Sequence, residues 1–413
     1  MTERIDFDAK LVKQDFPALS YCNANGQSIV YLDNSATTQK PQCVLDSLMH
    51  FYTTMNANVH RSFYEWGSLS TEHYENTRQL LANFLGARYP EEIVFTRGAT
   101  EASNALATII GQRYLNPGDV VIVSELEHHS NMIPWQMLQK TRGIQIRPWP
   151  VDLDGNLSME QLDTLLTPEV KVLAVTQVSN ALGTTPDTQK IIQKAHQNHT
   201  MVVIDGAQAV AHMPINVQTL DCDFLIGSGH KMYGPMGVGF FYGKKEILET
   251  LPPYHGGGTM MELVYMDSFT TAAVPSRFEA GTPPVADVIA FGKAIEYLQQ
   301  FTWESLMAYE EQVVVYAEHA LKAIPGVRIV GHPEKRTGII SFLVDKIHPH
   351  DVATIVNDQN IALRAGHHCC QPLMRRLNCK AGVVRASFGL YNTCEDVDRL
   401  AAAIKTALKI FKL

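Results

Sequence analysis

Several features are missing from this 413-residue chain, and each absence narrows its function. No apolar run reaches the ~20 residues that a membrane helix needs, so a membrane partner is not expected. No block of like charge stands out, and the net charge is −8, which argues against nucleic acid as a partner. There is no CxxC pair. The cysteines, Cys22, Cys43, Cys222, Cys369, Cys370, Cys379 and Cys394, number seven, an odd count for a disulfide framework. Reduced thiols and a cytoplasmic location are the expectation. The first residues are polar and acidic, unlike a signal peptide. Repeats and low-complexity tracts are also absent. Charged residues make up only 18%, against 46% hydrophobic, so a substantial core is available. The length suits a large domain plus a smaller one.

What is present is alternation. Short apolar runs at 92–96, 119–124, 144–149, 171–176, 201–205, 224–226 and 238–242 are interleaved with helical patterns. That order predicts an α/β fold with a mainly parallel sheet and helices on both faces. Right-handed crossovers then bring the strand carboxyl ends to one side. Ahead of this region the pattern predicts a short helix over 6–16, a strand over 29–32, a helix over 41–55, a polar loop over 56–61 and a helix over 68–85. Residues 251–277 read as a long loop or hairpin available for subunit contact. A helix over 285–300 joins a smaller α+β unit. The expected division is 1–20 as an N-terminal segment packing near the small domain, 21–290 as the large domain and 291–413 as the small one.

The chemistry-bearing residues cluster at the strand ends. Lys231 follows the 224–226 run directly, in the glycine-rich stretch Gly227-Ser228-Gly229-His230-Lys231. Glycine lets a backbone approach a flat ligand, and a sheltered lysine can form a Schiff base with a carbonyl cofactor. The bland alternative is a surface lysine in a hairpin. Arg97-Gly98-Ala99-Thr100 lies between a strand and a helix, an anion-binding arrangement, although Thr100 also reads as a plain N-cap. His128 follows a strand end, where it can stack on a ring or simply sit in a loop. Asp205 ends a wholly apolar run, as a turn aspartate or as an acid aimed at a ring nitrogen. Asn180, Gln208, Ser228 and His230 share this position. Together these residues supply a phosphate cup, a stacking ring, an acid and an amine, the parts needed to hold pyridoxal 5'-phosphate.

The motifs resemble those of the cysteine desulfurases, pyridoxal-phosphate enzymes of the class V aminotransferase family, over nearly the whole chain. Matching stretches include Tyr31-Leu-Asp-Asn-Ser-Ala, Asn58-Val-His60-Arg61, Glu127-His128-His129-Ser-Asn131, Asp205-Gly-Ala-Gln208, Glu279-Ala-Gly-Thr282 and Arg364-Ala-Gly-His367-His368-Cys369. The last is similar to the short RxGHHC signature of the group II, SUF-type branch. The resemblance implies the fold-type I architecture of pyridoxal-phosphate transferases. It implies that Lys231 carries the cofactor, Asp205 pairs with its ring nitrogen, His128 stacks on the ring and Gln208 reaches the ring hydroxyl. Ala99, Thr100, Ser228 and His230 would surround the phosphate, with Thr282 contributed by the other subunit of a homodimer. Ala99 stands where many relatives have a second threonine. Arg385 would clamp the substrate carboxylate, with Asn180, Arg364 and His60 lining the substrate space.

The implied reaction removes sulfur from L-cysteine, giving L-alanine and a persulfide on Cys369. The sulfur would pass to a SUF-type acceptor protein for iron–sulfur cluster assembly. Arg364, His367 and His368 are placed to favour a thiolate at Cys369. Cys370 stands where alanine is common and reads as a bystander. No metal site is expected, because adjacent side chains of an extended segment point apart and cannot converge on one ion. Two other readings are carried: a selenocysteine lyase acting on L-selenocysteine, and a non-catalytic sulfur-relay scaffold.

Overall fold

The computed structural model describes residues 7–412, and two sheets organise them. The larger has seven strands: β1 (Ile93–Thr96), β2 (Val120–Ser124), β3 (Gln145–Trp149), β4 (Val170–Thr176), β5 (Met201–Asp205), β6 (Phe224–Ser228) and β7 (Gly239–Gly243), in the order β1-β7-β6-β5-β4-β2-β3. Only β7 runs against its neighbours. The central strands are Val- and Ile-rich and buried on both faces, as parallel strands under helices must be. Separate apolar cores fill the two faces. The register aligns the strand exits. Thr176 of β4 lies opposite Asp205, and Asp205 opposite Ile226 of β6.

The smaller sheet is antiparallel: β8 (Val327–Val330), β9 (Ile339–Val344), β10 (Arg364–Gly366) and β11 (Val383–Ser387), in the order β8-β9-β11-β10. It packs with helices Trp303–Lys322, Pro349–Asn357 and Cys394–Ile410 around its own core. The molecule is thus an α/β protein with a large, mainly parallel sheet and a smaller α+β unit.

The chain does not divide at single points. Val30–Tyr31 pairs in parallel with Ile361–Ala362, and Val30 and Leu32 belong to the small sheet's core. This piece of the expected 21–290 unit is therefore built into the expected 291–413 unit. The N-terminal segment spans both. Lys10 and Lys13 form ion pairs with Glu395 and Asp396 of the last helix. Phe16 is buried against Tyr233, Tyr297 and Tyr391. Residues 1–6 of that expected segment lie outside the described residues. The expected 6–16 helix is shorter: Asp8 caps Ala9–Val12, and 3-10 turns follow over Lys13–Asp15 and Pro17–Ser20.

Residues 251–277 contain a hairpin, Met261–Val264 with Phe269–Thr271, whose Leu263, Val264, Tyr265, Met266 and Phe269 side chains are exposed. Among the described residues, no helix is long and apolar enough to cross a membrane.

Candidate active site

A cavity of about 740 Å³ opens where the exits of β4, β5 and β6 meet the small sheet. Its floor comes from the large sheet. Lys231 ends the turn Gly229–Lys231 directly after β6, and Asp205 is the last residue of β5. Both are buried. Burial lowers the Lys231 ammonium from its ordinary value, with Asp205 pulling the other way. Burial raises Asp205, opposed by the Ala207 N–H that donates to it at 2.9 Å and by Lys231. A buried carboxyl beside a lysine that tends to lose its proton suits a second, permanently held cation.

The anion end is set by close backbone approach. Gly239 of β7 lies between Thr96 of β1 and Ser228 of β6, and a Cβ there would sit 2.4 Å from the Gly98 Cα. Its absence lets the loop after β1 lie against β7. Gly98 adopts φ +154° and begins the helix Ala99–Tyr114, whose first N–H groups face the cavity end lined by Ala99, Thr100 and Ser228. Ser228 Oγ and His230 Nδ1 are buried without a partner among the described residues. Burial and Lys231 depress His230 to about 4, so its ring is neutral and free to donate one N–H. Orphaned buried donors beside a helix N-terminus are what a phosphate satisfies. Asp205, Lys231 and this cup fit pyridoxal 5'-phosphate, on the chemistry of the donor set.

His128 stands over the floor. Ser130 donates its N–H and Oγ–H to His128 Nδ1 at 3.1 and 2.7 Å, which leaves the ring proton on Nε2. Burial, reinforced by Lys231, depresses it to about 3. Behind it Glu127 is wholly buried, bonded to Ser124, Asn131 and the Thr176 N–H, and burial lifts it to about 8.

The small sheet supplies the roof. Cys369 is exposed in the loop between β10 and β11, and it opens on the same cavity as Lys231. His368 and Cys369 adopt φ of 51° and 55°, unusual for residues with a side chain. Arg385 of β11 is buried and Arg364 of β10 half-exposed, and both line the cavity. His368 is depressed to about 3 by burial and hence neutral, so it brings no charge to Cys369. His367 turns its Nε2 to the Lys380 carbonyl. Cys370 is buried, donates to the His367 carbonyl at 3.0 Å and is pushed up to about 12 by burial. Among the described residues no cluster of His, Cys, Asp and Glu could hold a metal.

Three expected residues lie outside this cavity. Gln208 is buried behind the wall, one hydrogen of its amide donated to the Ser35 carbonyl at 2.9 Å. His60 is held away by Glu75 at 2.8 Å. Thr282 lines a separate, smaller pocket with Tyr74, Phe95 and Glu279. Asp33, which no sequence motif singles out for a role, binds both Arg364 and Arg385. Its partners lie more than three hundred positions away, so nothing local marks it.

The aminotransferase class-V family model matches residues 30–400. A probable cysteine desulfurase of Synechocystis is 43% identical over 406 residues, 98% of this chain and 96% of its own length. Probable cysteine desulfurase 1 of Mycobacterium leprae is 43% identical over 96% of this chain, which spans only 65% of that relative's length. The crystal structure of the cysteine desulfurase CsdA from Escherichia coli superposes with a TM-score of 0.91 at 39% identity, covering 98% of this chain and 99% of that one.

Proposed function

This chain belongs to the aminotransferase class-V family and to its cysteine desulfurase branch, whose members depend on pyridoxal 5'-phosphate, and from that premise we propose that it removes sulfur from L-cysteine. The observation that carries this reading is that Lys231 and Cys369, from different sheets, line one cavity. The cofactor supplies an aldehyde for the substrate amine and a ring that stabilises negative charge at the substrate Cα.

The residues take the following parts. Lys231 holds the cofactor, and its lowered basicity suits it to take the Cα proton. Asp205 keeps a proton on the ring nitrogen by a charge-assisted hydrogen bond. Neutral His128 presents Nε2–H to the reacting centre. Thr100, Ser228 and His230 hold the phosphate, beside Ala99. Arg385 takes the substrate carboxylate with its planar fork; its buried Nε has no partner among the described residues. Asn180 and Arg364 border that end. The Cys369 thiolate attacks the substrate sulfur, a S–S bond forms and the Cβ–S bond breaks. Its electron pair stays on Cβ, which gains a proton as alanine. Cys369 is left as a persulfide, and the exchange is redox-neutral.

Beyond this, a SUF-type acceptor protein would take the sulfur for iron–sulfur cluster assembly, in the cytoplasm. L-Selenocysteine would fit the same site. A homodimer is supported by the exposed apolar side chains at Phe63, Tyr64 and Trp66 and on the 261–271 hairpin. In such a dimer Thr282 and His60 would take the roles the family implies from the partner, while Gln208 would reach the ring hydroxyl with the amide hydrogen that Ser35 leaves free. A relay scaffold would have no use for Lys231. Alanine formation from L-cysteine by the yellow, cofactor-loaded protein is the deciding measurement, and a loaded protein that forms no alanine would sink the reading.

A further inference from the structure

Arg364 and Arg385 are register partners on β10 and β11. Like charges directly opposite on neighbouring strands repel one another. The counter-charge arrives from the far end of the chain. Asp33 follows Val30–Tyr31 and forms an isolated parallel bridge with Ser387, two residues past Arg385. Its carboxylate accepts from Arg364 Nε at 3.0 Å, from Arg364 Nη2 at 2.8 Å and from Arg385 Nη2 at 3.1 Å. Arg385 Nη1 donates to the Asn180 carbonyl at 2.8 Å. With Nη1 and Nη2 each giving one hydrogen to a protein acceptor, the orphaned Nε and the second hydrogen on each Nη are the donors left for a ligand. Asp33 itself does not line the cavity, while both arginines do. The histidines nearest this end, His128 and His368, are both held neutral by burial. Asp33 is therefore the counter-ion that lets the two guanidinium groups share one wall.

We propose that Asp33 is a positioning residue for substrate binding: it locks Arg364 and Arg385 into a single preformed carboxylate receptor. The inference rests on the cysteine reading given above, which assigns the substrate carboxylate to Arg385. Preformed donors bind without a reorganisation cost, so the loss of Asp33 acts on affinity more than on turnover.

The test uses cofactor-loaded protein carrying Asp33→Asn. KM for L-cysteine is expected to rise at least tenfold with kcat within threefold of wild type. The Kd for L-alanine, measured by calorimetry without turnover, is expected to rise in parallel. Asp33→Glu keeps the charge on a longer arm and is expected to recover most of the loss. Should Asp33→Asn not fold, Asp33→Ser is measured in the same way. An unchanged KM and alanine Kd would overturn the proposal, as would a fall in kcat alone. A wild-type protein that makes no alanine would instead overturn the cysteine reading and leave the binding comparison to decide the role of Asp33.

Discussion

The side-chain amide of Asn180 donates to the main-chain carbonyl of His368 at 2.6 Å, across the seam between the two sheets. A second bond, from the His129 N–H to the Cys369 carbonyl at 2.7 Å, crosses the same seam. Both grip the two consecutive residues that hold positive φ. That conformation costs about 1–2 kcal/mol per residue, the scale of a hydrogen bond to a buried carbonyl. The loop presenting Cys369 is thus held in shape by the large sheet.

Asn180→Ala removes one of these bonds and leaves the His368 carbonyl unsatisfied, a cost of about 1–3 kcal/mol. Alanine release from L-cysteine is expected to fall about tenfold or more, with the cofactor absorbance unchanged. Steady-state kinetics beside the visible spectrum check this.

Lys231→Ala removes the only amine on the cavity floor among the described residues. Borohydride treatment of the loaded wild-type protein is expected to fix the cofactor on the peptide containing Lys231. The variant should carry no such adduct by mass spectrometry.

The adjacent thiols separate by environment. Cys369→Ser is expected to abolish sulfur release while cofactor binding persists. Cys370→Ala should keep turnover within about threefold of wild type, because that thiol is buried, bonded to His367 and pushed up to about 12. A persulfide trapped by alkylation and mapped to Cys370 would contradict this assignment.

Acid should weaken the fold through three histidines that partial or full burial holds neutral. His128 and His368 are depressed to about 3 and His230 to about 4, below the ordinary 6.5. Below pH 6.5 the unfolded chain binds protons that the folded protein refuses. The stability they contribute is therefore complete above 6.5 and is lost as pH falls toward 3–4. Urea unfolding of the cofactor-free protein from pH 8 to 4 is expected to show a falling midpoint. His368→Gln should flatten that slope.

Arg78 and Glu279 form a buried ion pair at 2.7 Å, and Glu279 also accepts from the Phe95 N–H of β1 at 2.7 Å. Arg78→Met leaves Glu279 buried and unpaired, and about 3–5 kcal/mol of stability should go with it. A denaturation midpoint equal to wild type would show the pair is dispensable.

Much of this architecture was legible because period and punctuation are local signals. The Val- and Ile-rich runs ending in Asp205 and Ser228 mark buried strands, and topology alone brings their ends together. The Glu279-Ala-Gly-Thr282 motif was visible as well, but its Glu279 serves Arg78 and β1 rather than the main cavity. Asp33, Glu127 and Asn180's grip on His368 escaped because their meaning lies in partners brought by the fold. A hydrogen bond with Glu75 holds the His60 ring outside the cavity of its own chain, a tertiary choice with no sequence period.

The parallel pairing of Val30–Tyr31 with Ile361–Ala362 bears on the order of assembly. During synthesis the ribosome releases residues 30–32 early, yet their hydrogen-bonding mates emerge about 330 residues later, and the loop between them can close only then. The seven-strand sheet can form as soon as residue 243 is out, while the roof of the cavity must wait for nearly the whole chain. Nascent chains stalled after residue 330 should therefore protect β1–β7 from protease and leave residues 25–32 open to cutting. The nucleophile would be brought over the amine only in the last act of folding, so a half-made protein carries no assembled sulfur-transfer centre.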